Sequence, residues 1–161
     1  MQPENNAGTV RIINVDDTNV AALEHRGDPG LIGASVSRFI AWRRQNDLPP
    51  QRVATFNILH SNLGEGAPEN YRIDICAATD RPVTDNESGV VGKTIPGGRC
   101  AVLRHIGSDD ALGEAIRYLC AEWLPESGEQ RRKFPMYLQR VKFFPEVPES
   151  EAVTDVFLPL R

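Results

Sequence analysis

The sequence is poor in the features that mark specialised protein classes. Its three cysteines, Cys76, Cys100 and Cys120, are widely spaced and include no CxxC pair, so neither a disulfide framework nor a zinc site is predicted. The chain has no stretch of about 18 apolar residues, and no basic segment followed by an apolar one opens it. We therefore expect free thiols, no metal, no cofactor, no membrane segment and a cytoplasmic location.

An excess of positive charge is also lacking. The chain carries 18 Lys and Arg against 22 Asp and Glu, which gives a formal net charge of −4. Nucleic-acid affinity depends on clustered Lys and Arg, so the composition argues against a dedicated DNA-binding surface. The basic run 130–133 fits a solvated loop better. With 161 residues, of which 40% are apolar, one domain over 1–161 can bury a working core.

A weak internal repeat at an offset of 80 residues is the most informative feature that is present. A second match, of Arg72–Cys76 with Val153–Phe157, has an offset of 81, which fits one inserted loop residue. Chance similarity of apolar runs is the alternative, but the first match includes two glycines and a histidine. The match at the offset of 80 aligns Leu23 with Leu103, His25 with His105, Gly27 with Gly107 and Gly33 with Gly113.

Each half of the repeat predicts the order strand, helix, strand, strand. The halves cover about 10–78 and 90–160, and an exposed connector covers about 79–89. Because one half alone has a small sheet and a single helix, it cannot complete a core. We predict an α+β domain whose duplicated units form a joined antiparallel sheet with two long helices and pseudo-twofold symmetry.

Breaks and periodicity set the expected ends of these elements. Both first strands are interrupted, the second at Pro96 and Gly97. The first helix has an apolar stripe with a period near 3.6 that runs from Leu31 to Ile40. A proline cannot continue the helical hydrogen-bond ladder, so the second helix is expected to end near Pro125.

Signatures of catalysis are weak. His25 and His105 recur in the repeat, but each precedes a glycine at a strand end, where capping the turn into the helix is the better interpretation. No Gly-x-Ser-x-Gly elbow, phosphate loop or cysteine beside a histidine is present. Trp123 could stack on a ligand or plug the end of the core.

Three segments carry a resemblance to a known family. They are 97–107 (GGRCAVLRHIG), 123–128 (WLPESG) and 154–160 (TDVFLPL), and the first half echoes them. Together they resemble the GyrI-like (gyrase-inhibitor-like) domains, which serve as effector-binding domains of bacterial AraC-type and MerR-type regulators. The resemblance implies a duplicated fold and a groove between the halves for small, often apolar or cationic molecules. It also implies a separate DNA-binding domain, for which too few residues precede the first strand.

Departures from the family pattern shape the expected pocket. Family members commonly have Phe-Glu-x-Tyr in the third strand of the second half, and ungapped counting places Leu138 at the Glu position and Arg140 at the Tyr position. The equivalent first-half motif falls on 60–64, where no acid takes the expected place. Since His60 and Arg140 are 80 residues apart, we expect them at equivalent positions, as two donors near one end of the groove.

Alternate residues of a strand share a face, which completes the expected site. Its predicted ligand-binding residues are Phe56, Ile58, His60, Trp123, Met136, Leu138, Arg140 and Phe157. Without the carboxylate that offsets a cationic ligand, the groove is expected to prefer a neutral or anionic amphiphile.

The resulting functional prediction is a stand-alone protein that binds or senses a small molecule, is not an enzyme and makes no direct contact with DNA. Two alternatives stay open. The first is a hydrolase of reactive small molecules on the same fold. The second is a protein-binding modulator of the gyrase-inhibitor type.

Overall fold

The computed structural model describes residues 9–61, 66–143 and 145–161. Within each of its two compact units, neighbouring strands pair antiparallel. The chain divides into two compact units. One, the 17–96 unit, is continuous, and the other, the 97–161 unit, also includes the segment that ends at Asp16. No helix in the described part of the chain is long and apolar enough to cross a membrane.

The 17–96 unit has a four-stranded sheet in the order β3-β4-β2-β5 with one helix, and the 97–161 unit has the order β1-β6-β8-β7. The strands are β1 (Val10–Val15), β2 (Thr18–Arg26), β3 (Thr55–Leu59), β4 (Arg72–Ala78), β5 (Val91–Ile95), β6 (Gly98–Ile106), β7 (Tyr137–Lys142) and β8 (Val153–Pro159). The helices are α1 (Ile32–Gln45), α2 (Leu112–Arg117) and α3 (Leu124–Ser127), with a π-helical segment (Tyr118–Trp123) between α2 and α3.

The α+β class and the duplicated plan are confirmed. Equivalent backbone contacts close both halves, since Gly27 N–H donates to Tyr71 O at 2.8 Å and Gly107 N–H donates to Ala152 O at 2.9 Å. Both glycines have a φ near +125°, at 121° and 127°, which side chains with a Cβ rarely adopt. Gly27 and Gly107 are therefore required by the backbone conformation at equivalent turns.

The two interrupted strands divide differently from the sequence expectation. We expected the halves 10–78 and 90–160 each to begin with one interrupted strand, but the two pieces of each strand pair separately, β1 with β6 and β5 with β2. The chain crosses from one unit to the other at each interruption, after Asp16 and after Pro96. The breaks therefore release the first strand of each half to extend the sheet of the other unit.

The predicted stripe of α1 is partly wrong. Leu31 is 67% exposed and Ile40 is 44% exposed. Ser35 and Phe39 of the predicted stripe are buried as expected, and burial continues beyond the stripe at Trp42 and Arg43. Phe39 stacks on Trp42 with ring centroids 6.0 Å apart. This extension brings the more polar end of the helix into the core of the 17–96 unit, which comprises Ala21, Leu23, Phe39, Trp42, Leu48, Ile75, Ala77 and Val90.

Arg43 closes the end of α1. Its guanidinium is buried, and it donates through Nε to Leu48 O at 2.7 Å and through Nη1 to Thr55 Oγ1 at 2.9 Å. Burial lowers the pKa of Arg43 to about 10, which still leaves it charged at neutral pH. Its cation thus lies beside the partial negative charge of the helix C-terminus.

The expected end of the second helix at Pro125 is wrong. Helical structure continues through Pro125 to Ser127 and stops at Gly128, whose φ is 77°. The wider π turn precedes the proline, and there Leu124 N–H bonds to Leu119 O. Because a π turn displaces the hydrogen-bond ladder by one residue, it accommodates a residue that cannot donate.

The two neighbouring apolar residues of α1 provide a test of this core. Phe39→Ala should lower the free energy of unfolding by about 3–5 kcal/mol, because Phe39 is 1% exposed. Ile40→Ala, the matched control from the predicted stripe, should change it by less than about 1 kcal/mol. Urea unfolding measures both, and equal losses would restore the stripe predicted from the sequence.

Candidate functional site

The sheet of the 17–96 unit has two distinct faces. One face lies under α1, as shown by the buried His25 ring, whose Nδ1 lies 2.8 Å from Ser35 Oγ of that helix. Residues directly opposite each other in antiparallel strands share a face. The strand pairings therefore define a second face, turned away from α1, that carries Ala22, Glu24, Phe56, Ile58, His60, Arg72, Asp74 and Cys76.

Two acids meet on the second face. Glu24 lies directly opposite Asp74 in the β2–β4 pair, an arrangement in which two carboxylates repel. The neighbours separate them, because Arg72 binds Glu24 Oε2 through Nε at 2.9 Å and through Nη2 at 2.7 Å. The bond from Arg72 lowers the pKa of Glu24. Asp74 is thereby left to other partners.

Asp74 is the most buried charge of this face. Its side chain is 0% exposed, and its Oδ2 accepts from Lys93 Nζ at 2.6 Å and contacts His60 Nε2 at 2.9 Å. Its Oδ1 is buried and has no hydrogen-bond partner in the described part of the protein. The carboxylate on β4 thus connects β3, through the residue that follows it, with β5 at the other edge of the sheet.

The state of the trio follows from the pKa of Asp74. Burial alone would raise this pKa, but the hydrogen bonds from His60 and Lys93 outweigh burial and hold it below its ordinary value. An ionised carboxylate can only accept, so the neutral His60 ring must carry its proton on Nε2. The charges of Asp74 and Lys93 cancel, and the accessible members of the trio are His60 and Lys93, with side chains 19% and 34% exposed.

The equivalent place in the 97–161 unit is arranged differently. Arg104 occupies the position of Glu24, directly opposite Asp155 of β8. Its Nε and Nη2 bind both carboxylate oxygens, at 2.8 and 3.0 Å. A forked pair of this kind satisfies the acid completely. The polar trio is therefore a property of the 17–96 unit.

Some of the predicted site residues lie on a sheet face turned away from the helix of their unit, and others lie on a face that packs against the helix. Phe56 and Ile58 lie on the face of the trio and are buried, at 7% and 1% exposure, and His60 belongs to the trio itself. Asn62, Leu63 and Gly64, which complete the motif expected in this segment, lie outside the described residues.

Met136, Leu138 and Arg140 lie on the other kind of face, against the helix of their unit. Met136 Sδ is 3.3 Å from Cys120 Sγ of the π segment, and Arg140 Nη1 donates to Asp109 Oδ1 at 2.7 Å, just before α2. Arg140 also reaches Thr154 Oγ1 at 3.3 Å. The prediction that these three share the face equivalent to that of Phe56, Ile58 and His60 is wrong.

The error has a simple cause in the strand register. Ile58 lies opposite Asp74, whereas Gln139 lies opposite Asp155, so the offset between β3 and β7 is 81 and not 80. A shift of one residue moves every side chain to the other face of a strand. His60 and Arg140 are consequently not equivalent, and β7 has a bulge between Arg140 and Lys142.

Phe157 and Trp123 lie apart from each other within the 97–161 unit. Phe157 is on the face turned away from the helix, where its ring stacks on Tyr137 with centroids 4.7 Å apart. Trp123 is half-buried on the π segment, where it lines a cavity of about 320 Å³ with Tyr118, Glu122, Glu126 and Ser127.

The recurring histidines are turn residues, as predicted. His25 Nε2 contacts Asp28 O at 3.1 Å, and His105 Nε2 contacts Ser108 O at 2.8 Å. Each ring therefore fastens the turn between strand and helix, and neither is aimed at a substrate.

The cysteines and acids offer no further reactive centre. All three thiols are free, and burial raises the pKa of Cys76, Cys100 and Cys120, which disfavours the reactive thiolate. Within the described residues, no group of three or more His, Cys, Asp or Glu side chains could hold a metal ion.

Sequence reasoning missed Lys93. Lys93 is one of the alternating residues of β5, but this alternation tells which neighbours Lys93 has only once β5 is known to pair with β2 and not with a strand of its own half. The burial of Asp74 follows from the interior position of β4 in the sheet of its unit.

Comparison with known proteins accords with this geometry. The family model of the GyrI-like small molecule binding domain matches residues 8–161. The chain belongs to this family. It is 38% identical over 152 residues to the probable transcriptional regulator YgiV of Escherichia coli K12, covering 94% of this chain and 95% of YgiV.

Two solved structures extend the comparison to the GyrI-like fold. The C-terminal domain of EcmrR matches with a TM-score of 0.77 at 16% identity, over 95% of this chain and 97% of that one. A hydrolase from Listeria innocua matches with a TM-score of 0.63 at 12% identity, over 94% of this chain and 91% of that one. At these identities the likeness concerns the fold.

The acid of the trio predicts a pH-dependent stability. At neutral pH, Asp74→Asn should lower the free energy of unfolding by on the order of 3 kcal/mol, because a buried charge pair loses one partner. Since the pKa of Asp74 is lowered in the folded state, its stabilisation is present above the ordinary value of about 3.9 and is lost as the pH falls through the folded value. The gap between wild type and variant should therefore close in acid.

Urea unfolding at neutral and at strongly acidic pH measures this gap. Asp85→Asn, which changes an exposed acid of the same unit, is the control and should leave stability nearly unchanged at either pH. A gap for Asp74→Asn that is the same at both pH values would mean that its carboxylate is not held ionised by its neighbours.

Proposed function

We propose that this GyrI-like protein is a stand-alone sensor that binds a neutral or anionic amphiphile in the cytoplasm and regulates without touching DNA itself. The observation that carries the proposal is the convergence of His60 and Lys93 on the buried Asp74. A small-molecule site combines an apolar lining with a few fixed polar groups. Phe56 and Ile58 lie on the same sheet face as the trio.

Charge balance supports the preference for a neutral or anionic ligand. The charge of Asp74 is already neutralised by Lys93, and that of Glu24 by Arg72. A cation would therefore meet no uncompensated acid among these four residues, and its desolvation would not be offset. An acceptor group of a ligand, in contrast, can take a hydrogen bond from a Lys93 ammonium whose position is fixed.

This argument replaces the donors expected from the sequence. Arg140 is engaged by Asp109 and Thr154 on the helix side of its own sheet, so it does not support the anionic preference. His60 stays in the proposed site, with Lys93 as its companion. Protonation of His60 would bring the trio to a charge of +1 and turn its Nδ1 from an acceptor into a donor, which should favour anions further.

The role in regulation rests on the relatives. YgiV is named a probable transcriptional regulator, and EcmrR is known in complex with DNA. For this chain, the net charge of −4 supports a role in which a partner makes the DNA contact.

Hydrolysis is the second candidate function, favoured by one observation. His60 is oriented through Nε2 by a buried carboxylate, which leaves Nδ1 of the neutral ring as an acceptor that could take a proton from water. Lys93 shares the same oxygen of Asp74, however, and so weakens the support that the acid could give to an imidazolium. This competition makes binding without turnover the better proposal.

A thermal-shift series with one apolar chain and three head groups tests the ligand preference. Octanamide and octanoate should raise the melting temperature, because a ligand of the native state stabilises it, whereas octyltrimethylammonium should not. Lys93→Met should weaken octanoate binding by about 1.5–3 kcal/mol, the range for a hydrogen bond to a charged group. Lys133→Met, at an exposed lysine of the other unit, is the matched control.

Two results would contradict the proposal. Stabilisation by the cation alone would mean that an unpaired acid receives the ligand. A larger loss of octanoate affinity from Arg140→Ala than from Lys93→Met would mean that the ligand binds on the helix side of the 97–161 unit. Incubation of the protein with octanamide, followed by analysis for octanoate, separates the two candidate functions. Turnover that His60→Asn abolishes would establish the hydrolase.

A further inference from the structure

A cavity of about 330 Å³ lies at the end of α1, away from the trio. One wall is the last part of the helix and the residues after it, including Trp42, Gln45 and Leu48. The other wall is the connector between the two repeats, from Thr79 to Ser88. Every lining residue belongs to the 17–96 unit. Most residues of the connector are exposed, as the sequence suggested, and the connector also folds back over the end of the helix.

The connector is fastened on both sides of the cavity. Val83 packs against the core of the unit, and Val90 is part of that core. Arg81 Nη2 donates to Asn46 O at 2.6 Å, just beyond the helix C-terminus. Asn86 fixes the later part of the connector, because its side chain bonds to the backbone N–H and C=O of Val90 at 3.0 and 2.9 Å. The connector wall of the cavity is therefore held in place by packing and by hydrogen bonds.

Trp42 provides an unused donor at this cavity. The residue is 6% exposed, and its ring face is covered by Phe39, with an interplanar angle of 6°. Trp42 lines the cavity, and no hydrogen bond connects its indole N–H to any other described residue. The indole N–H is not one of the buried polar atoms that lack a partner, so it is accessible and free to donate to an acceptor that enters the cavity.

The remaining lining groups fit a ligand rich in hydroxyls. Gln45, Thr84 and Ser88 can each donate and accept, Arg81 donates, and Glu87 accepts. The charges of Arg81 and Glu87 cancel. A vicinal hydroxyl pair also donates and accepts, and it carries no charge. The lining therefore complements a polyhydroxylated molecule better than an amphiphile or an ion.

We propose that this cavity is a second ligand site, which binds a small sugar or polyol through the indole N–H of Trp42 and the side chains of Gln45, Arg81 and Ser88. It is separate in position and chemistry from the site of the trio and does not depend on the function proposed there. The volume lies at the small end of the range for ligand sites, which suits a monosaccharide.

Tryptophan fluorescence tests the site directly. The chain has two tryptophans, so Trp123→Phe leaves Trp42 as the single reporter. Glucose, galactose, ribose and myo-inositol are titrated, with glycine as a zwitterion and octanamide as an amphiphile for contrast. At least one sugar or polyol should change the Trp42 emission saturably, and calorimetry on the unaltered chain should give the same affinity. If Trp123→Phe fails to fold, saturable binding by calorimetry tests the site instead.

Single substitutions then identify the lining. Gln45→Ala and Ser88→Ala should each weaken the active sugar roughly threefold to tenfold, the effect of one lost hydrogen bond. Ser37→Ala, at an exposed serine of the same helix, is the control and should leave the affinity unchanged. The proposal is overturned if no sugar or polyol saturates by either method, if only glycine or octanamide does, or if Ser88→Ala has no effect.

Discussion

A buried carboxylate fixes the chemistry of the candidate site. Asp74 lies in the interior of the sheet of its unit, where an uncompensated charge would cost several kcal/mol. Its partners must therefore come from neighbouring strands, and they do, with Lys93 on the edge strand β5 and His60 just after β3. The same contacts that make Asp74 tolerable hold two half-buried polar groups in fixed positions. The stability of the sheet and the proposed ligand binding therefore depend on the same interactions.

The duplication explains why one unit has this trio. At equivalent places the two sheets have Glu24 beside Asp74 and Arg104 beside Asp155. The residue opposite the recurring acid has the opposite charge in the two units. With arginine the acid is satisfied by a forked pair, and with glutamate it must recruit other cations. The two units thus share one scaffold, and the 17–96 unit has a polar cluster that is partly accessible.

Much of the fold could be predicted from the sequence, because glycines, histidines and apolar periods report local structure. Gly27 and Gly107 marked equivalent turns, and His25 and His105 proved to fasten them. The site could be predicted less well, because a face depends on register. One residue of difference between β3 and β7 placed Arg140 on the helix side, and the pairing of β5 with β2, which brings Lys93 to Asp74, is a long-range contact that no local pattern encodes.

The coupling between Asp74 and Lys93 tests the central claim most directly. A double-mutant cycle with Asp74→Asn, Lys93→Met and the combined variant, followed by urea unfolding at neutral pH, isolates their interaction from all other effects of each change. Because the two side chains are 2.6 Å apart and the acid is fully buried, the cycle should give a coupling of at least about 1 kcal/mol. Additive losses, with a coupling below about 0.3 kcal/mol, would contradict the account and mean that Asp74 does not hold Lys93 in place.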